Sequence, residues 1–117
     1  MGMLAITCNG SEPNNIYPTL VLGSAATACG DDVILFFEPA GTPALVKGKI
    51  EGMSIEGMPD LAELIEGFQV LGGRILLCEL GLGLHGIKEE ELRDGVEIVG
   101  ATTFLNEARD ARLTFSF

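Results

Sequence analysis

Cysteine has the widest reactive chemistry in this chain, and one of the three cysteines stands out by its setting. The apolar run Arg74-Ile75-Leu76-Leu77 ends in Cys78 and then breaks into Glu79-Leu80-Gly81-Leu82-Gly83-Leu84-His85-Gly86. A short continuous apolar run, preceded by Gly72-Gly73 and followed by a glycine-rich turn, reads as a buried strand of a parallel sheet, with Cys78 at its carboxyl end. In open α/β sheets, working groups gather outside the carboxyl ends of the strands. A thiol acts as nucleophile or sulfur acceptor only as thiolate, and a free cysteine with a pKa of about 8.5 needs a helix N-terminus, oriented amides or a cation to ionise near neutral pH. Gly81 and Gly83 let the backbone turn its amides toward the sulfur, and a following helix adds its positive end. No Lys or Arg adjoins Cys78 in sequence, and Glu79 opposes ionisation if its carboxylate points inward. The competing reading is an inert buried thiol.

His85 is the only histidine, so a multi-histidine metal site is ruled out. It is a candidate proton donor or orienting partner for Cys78; the alternative is a solvent-facing turn residue. Cys29 closes a helix of small residues and reads as packing. The cysteines are far apart in sequence with no Cys-x-x-Cys pair, which argues against structural zinc, and no cofactor is expected.

The remaining composition narrows the class. At 117 residues one domain, 1–117, with a single core is expected. A net charge of −10 repels phosphate backbones and anionic lipid, which excludes nucleic acid as a partner. No apolar run approaches the roughly 20 residues of a membrane-spanning helix. Met1-Gly2-Met3 has no basic n-region, and no Ser or Thr follows at the myristoylation position, so a cytoplasmic protein with three reduced thiols is expected.

Several elements must position the thiol. Met3–Cys8 reads as a strand closed by the turn formers Asn9 to Asn15, with Asn14 or Asn15 capping a helix from Ile16 to Cys29. Pro18 fits only the first turn of that helix. Val33–Phe37 is a second buried strand. After Phe37, Glu38–Pro43 reads as a turn and Ala44–Lys47 as one helical turn, and with the aperiodic Gly48–Pro59 they make the most mobile segment, a lid or a spacer. Asp60 caps a helix over Leu61–Leu71 with the stripe Leu61, Leu64, Ile65, Phe68 and Leu71. After Gly86, a short amphipathic helix over Ile87–Arg93, a strand over Val96–Val99, a helix over Gly100–Ala108 and an edge strand over Arg112–Phe117 follow. Five strands alternating with helices imply a parallel sheet with helices on both faces, joined by right-handed crossovers.

The segments Pro18–Ala26, Val33–Phe37, Cys78, Gly86–Leu92 and Val99–Leu105 together resemble the DsrE/DsrF-like sulfur-relay family, including carriers labelled peroxiredoxin-like. The resemblance covers most of the chain in order. It implies a flavodoxin-like three-layer α/β sandwich with a mostly parallel five-stranded sheet. It also implies a homo-oligomer, a trimer favoured, and a cysteine that carries sulfur as a persulfide, a role that only Cys78 matches. Its implied partners are sulfur-donor and sulfur-acceptor proteins, rhodanese-like or TusA-like. In a flavodoxin-like order the first strand lies beside the third, which would bring Cys8 to the same crevice as a resolving thiol; otherwise Cys8 is a small buried strand residue.

Three functions follow as alternatives: a sulfur carrier using Cys78, a non-catalytic oligomeric subunit of the same fold, or a small-molecule binder. The third ranks last, because Asn9–Asn15 lacks the Ser/Thr-dense cradle that a flavin phosphate requires. A mean hydropathy of +0.36 despite the charge predicts self-association through the apolar sides of the first and last helices. Cys78 is expected to be the reactive thiol and the first to alkylate.

Overall fold

Side-chain alternation within the strands assigns two faces to one sheet. In the computed structural model, which describes residues 2–117, the strands are β1 Met3–Cys8, β2 Asp32–Phe37, β3 Arg74–Cys78, β4 Val96–Val99 and β5 Ala111–Ser116. They lie in the order β4-β3-β2-β1-β5, and every neighbouring pair is parallel. The helices are α1 Pro13–Ala28, α2 Leu61–Val70, α3 Leu80–His85 and α4 Ala101–Glu107. This is the expected α/β sandwich, but β2 and not β3 lies beside β1.

The strand order explains how the helices are shared out. From β1 to β4 each connection steps one way across the sheet, and right-handed crossovers then place their helices on one face. The return from β4 to β5 runs the other way and carries α4 over the second face. The first face therefore holds the main core, in which Leu4, Ile6, Leu35 and Phe37 pack against Ile16 and Leu20 of α1 and Ile65 and Phe68 of α2. The second face holds only Ile34, Phe36, Leu76 and Cys78, with Met3, Val99 and Phe104 against them. Both faces are covered as expected, but very unequally.

Helix α1 starts three residues earlier than its apolar pattern indicates, with Pro13 in its first turn and the Glu12 N–H donating to Asn15 Oδ1 at 3.2 Å. Pro18 therefore lies inside the helix. The apolar side of α1 is spent on the chain's own core, where Ile16 and Leu20 are fully buried, so that side is not free to pair with a copy. Asp60 caps α2 as expected, accepting from the Ala62 N–H at 3.1 Å.

The first part of the 38–59 segment packs into the core, whereas 51–59 is exposed apart from half-buried Met53. Pro39–Leu45 winds into a 3-10 helix, and Thr42, Ala44, Leu45 and Ile50 are fully buried. Its far side is tied down by the Arg93 N–H on Leu45 O at 2.9 Å and by a two-pronged Arg93–Glu51 ion pair at 3.0 and 3.1 Å. Those contacts also replace the helix expected over Ile87–Arg93, of which only a 3-10 turn at Glu89–Glu91 forms. Among the described residues no helix is long and apolar enough to cross a membrane.

Candidate functional site

Cys78 is the last residue of β3 and pairs in register with Val99 of β4. The chain turns at once: the Glu79 N–H donates to Val99 O at 3.0 Å, and α3 starts at Leu80. The segment Gly81–Gly83 is thus helix and not a loose turn, and the first-turn amides of α3 lack intrahelical partners just beyond the thiol. Gly81 is buried where α3 meets the 39–45 segment. A Cβ there would overlap Thr42 Oγ1 and lie 3.2 Å from Pro39 Cα. Gly86, at φ +64°, ends α3 in the left-handed conformation that glycine adopts freely.

The thiol points to the second face of the sheet. It shares an apolar cluster with Ile34, Phe36 and Leu76, closed by Val99 and Phe104, and is 5% exposed. Phe104 of α4 stacks on Phe36 of β2 with ring centroids 4.2 Å apart and planes within 6°. Neither aromatic stood out in the sequence as part of a site. The signal was available in the alternation of β2, which leaves Ile34 and Phe36 apolar on the face opposite the main core.

His85 is not brought to the sulfur. Its Nε2 lies 2.9 Å from Pro39 O, and because a carbonyl only accepts, Nε2 carries the hydrogen. It stands at the far end of α3 from Cys78 and fastens that helix to the 39–45 segment. The Glu79 carboxylate leans over the start of α4, where a Cβ on Gly100 would meet its Oε1 at 3.5 Å.

Cys8 is not a resolving partner. Cys8 and Cys78 end strands separated by β2, roughly 9–10 Å apart at about 4.8 Å per strand, and they belong to clusters on opposite faces. A disulfide needs Cα atoms within about 7 Å and converging Cβ vectors. The Cys8 thiol is fully buried and donates toward Gly10 O at 3.5 Å and Asn15 O at 3.7 Å. Burial pushes its pKa above the usual thiol range despite hydrogen bonds from Thr19 and Gly10. The folded state thus holds the Cys8 proton more tightly than the unfolded chain, so this contribution is complete below the unfolded pKa and is lost as pH rises through the folded one. Urea midpoints measured upward from about pH 9 are expected to fall more steeply in the parent than in Cys8→Ala.

Cys29 is exposed at the C-cap of α1. Accessibility therefore ranks Cys29 ahead of Cys78, and order of alkylation alone does not identify the working thiol. Among the described residues, no three His, Cys, Asp or Glu side chains come together to hold a metal ion.

At the amino end of the sheet, Arg74 spans β3, β4 and α4. Its Nε and Nη2 donate to the two Glu97 oxygens at 3.0 and 2.7 Å, and Nη2 lies 2.9 Å from Glu107 Oε2. The hydrogen bonds from Arg74 hold the Glu97 carboxyl below the usual carboxylate range.

Comparison with known proteins agrees with this architecture. The chain is similar over its full length to the ychN protein from E. coli, whose crystal structure it also covers completely, with a TM-score of 0.80 at 21% identity. It is similar to MTH1491, a protein of unknown function from Methanobacterium thermoautotrophicum, with a TM-score of 0.66 at 12% identity over 93% of this chain and 92% of that one. It is 31% identical over 100 residues to the uncharacterized protein MJ0760 of Methanocaldococcus jannaschii, a match that takes in 86% of this chain and 36% of that protein. The chain thus spans about a third of the length of that curated relative. The family model described as DsrE/DsrF/DrsH-like matches residues 41–115, which include Cys78, α3 and α4, and the chain belongs to that family.

Proposed function

We propose that this chain is a cytoplasmic sulfur carrier that holds sulfur as a persulfide on Cys78. The observation that carries the reading is a thiol at the carboxyl end of a central strand, set in an apolar cluster within the part of the chain that matches the family. In the loading step the Cys78 thiolate attacks the terminal sulfur of a donor persulfide. A Cys78–sulfur bond forms, the donor's sulfur–sulfur bond breaks, and the donor leaves as a thiolate. An acceptor thiolate then takes the terminal sulfur by the same exchange, so no external oxidant or reductant is consumed. The apolar surroundings suit a bound persulfide, because they keep water and competing thiols from the carried sulfur. Rhodanese-like or TusA-like proteins fit the donor and acceptor roles. His85 serves in this reading as the strut that fixes α3, not as an acid.

Loading is tested by incubating the protein with a persulfide donor, removing excess donor, and titrating cyanide-labile sulfur. About one labile sulfur per chain, transferable to an added protein thiol, is expected for a single carrier cysteine. Absence of any labile sulfur contradicts the carrier reading and favours a non-catalytic subunit.

Self-association belongs to the same proposal, with a trimer favoured. The second face over β1 and β5 is bordered only by α4, where Leu105 is 62% exposed beside an open groove lined by Ala5, Thr7 and Thr114. A parallel sheet ordinarily has both faces covered, and a copy of this chain supplies that cover. Light scattering at micromolar concentration is expected to give a closed oligomer, and a monomer contradicts it.

A further inference from the structure

Nearly all of the second face's own cover comes from α4, and α4 is weakly held. None of its seven residues is buried. Ala101, Thr102, Thr103, Leu105 and Asn106 are exposed, so its inward contacts reduce to two. Near its middle Phe104 stacks on Phe36, and at its carboxyl end Glu107 pairs with Arg74. That ion pair is partly open to water, with side chains 40% and 34% exposed, a setting in which such pairs contribute little. Beneath this thin cover lies Cys78, 5% exposed and in the same cluster as Phe36 and Phe104. Exchange of sulfur requires an approaching sulfur atom to reach Cys78 along the line of the bond being made, which the closed arrangement prevents.

We infer that α4 is a lid over Cys78, with Phe104 as its clamp and Glu107, acting through Arg74, as its latch. The inference rests on Cys78 being the working thiol for its biological meaning, but not for its physical test. Low local stability is what a gating element needs, and α4 has it because it is the single crossover that returns over this face. The rest of the fold does not depend on α4: the main core lies on the opposite face, and β5 stays paired to β1 through its own ladder. Glu107 and Phe104 are positioning residues, since neither takes part in the sulfur exchange.

The test reads access to Cys78 directly, in a Cys29→Ser background that removes the exposed thiol. Folded protein is treated with N-ethylmaleimide, and labelling of Cys78 and Cys8 is followed by peptide mass mapping. Cys8, fully buried on the other face, reports global unfolding within the same sample. Glu107→Gln is expected to speed Cys78 labelling about two- to fivefold, the range of a partly exposed ion pair. Phe104→Ala is expected to speed it about tenfold or more, because it removes an aromatic stack and its buried area. Cys8 labelling stays at the parent rate in both. Unchanged Cys78 labelling in Glu107→Gln, a substitution at a partly exposed position that leaves the core intact, overturns the lid, as does acceleration of Cys8 by the same factor as Cys78. Because the readout is alkylation, failure of the lid is distinguishable from failure of the carrier reading, which shows in the cyanide titration.

Discussion

Cys78→Ser is expected to bring cyanide-labile sulfur down to background, whereas Cys8→Ala and Cys29→Ser load as the parent does. A serine hydroxyl neither ionises near neutral pH nor forms a stable bond to sulfane sulfur, so the substitution removes the chemistry while nearly preserving the side-chain volume. The other two thiols fail for opposite reasons. Cys8 has no route to solvent, and its burial holds the proton on sulfur. Cys29 is reachable but stands at the C-cap of α1, outside the 41–115 stretch that matches the family. The measurement is labile sulfur per chain across the three variants. Loading of Cys78→Ser at the parent level would assign the sulfur to another residue.

Gly81→Ala is expected to destabilise the protein by about 1–3 kcal/mol, the usual range for forcing extra volume into a packed contact. The obstacle is not a flexible side-chain tip. Thr42 is fully buried, its Oγ1 donates to Pro39 O at 2.8 Å, and Thr42 Cβ and the backbone at Pro39 Cα lie just behind it. Helix α3 must move off the 39–45 segment to admit the methyl group, and its first turn follows directly on Cys78. Gly83 is the control in the same helix, since a Cβ there meets nothing within 4 Å. Gly83→Ala is expected to stabilise by about 0.5–1 kcal/mol by restricting the unfolded chain. Denaturant midpoints that fall for Gly81→Ala and rise for Gly83→Ala support the close approach of α3. Equal shifts of the same sign contradict it.

How legible each part was depended on how local its cause is. The strands β1, β3 and β4 could be read to the residue, because each is an apolar run bounded by turn formers or glycines. Asp60 also announced α2 through its position just before an apolar stripe. Helix α3 was missed for a local reason with a distant cause: two glycines within six residues look like a turn, and only the seat against Thr42 makes Gly81 a helix residue. The packing of 38–50 has the same kind of distant cause, since Leu45 and Ile50 enter a core built by other elements. Strand order follows from long-range pairing and left no local trace, so the adjacency that would have joined Cys8 to Cys78 was not recoverable from the chain. For the site, Cys78 and its place at a strand end were readable. Phe36 was readable as an apolar residue on the second face, but its stack with Phe104 and the Arg74–Glu107 contact were not, since each joins residues more than thirty positions apart.

The carrier account stands most directly on where the sulfur resides. The parent protein, loaded with a persulfide donor and then alkylated, is digested and its cysteine peptides are weighed. The account predicts the mass of one additional sulfur atom on the peptide that contains Cys78, with the Cys8 peptide unmodified and the Cys29 peptide alkylated as a plain thiol. Additional sulfur on the Cys29 peptide with none on Cys78, or on no peptide at all, contradicts it.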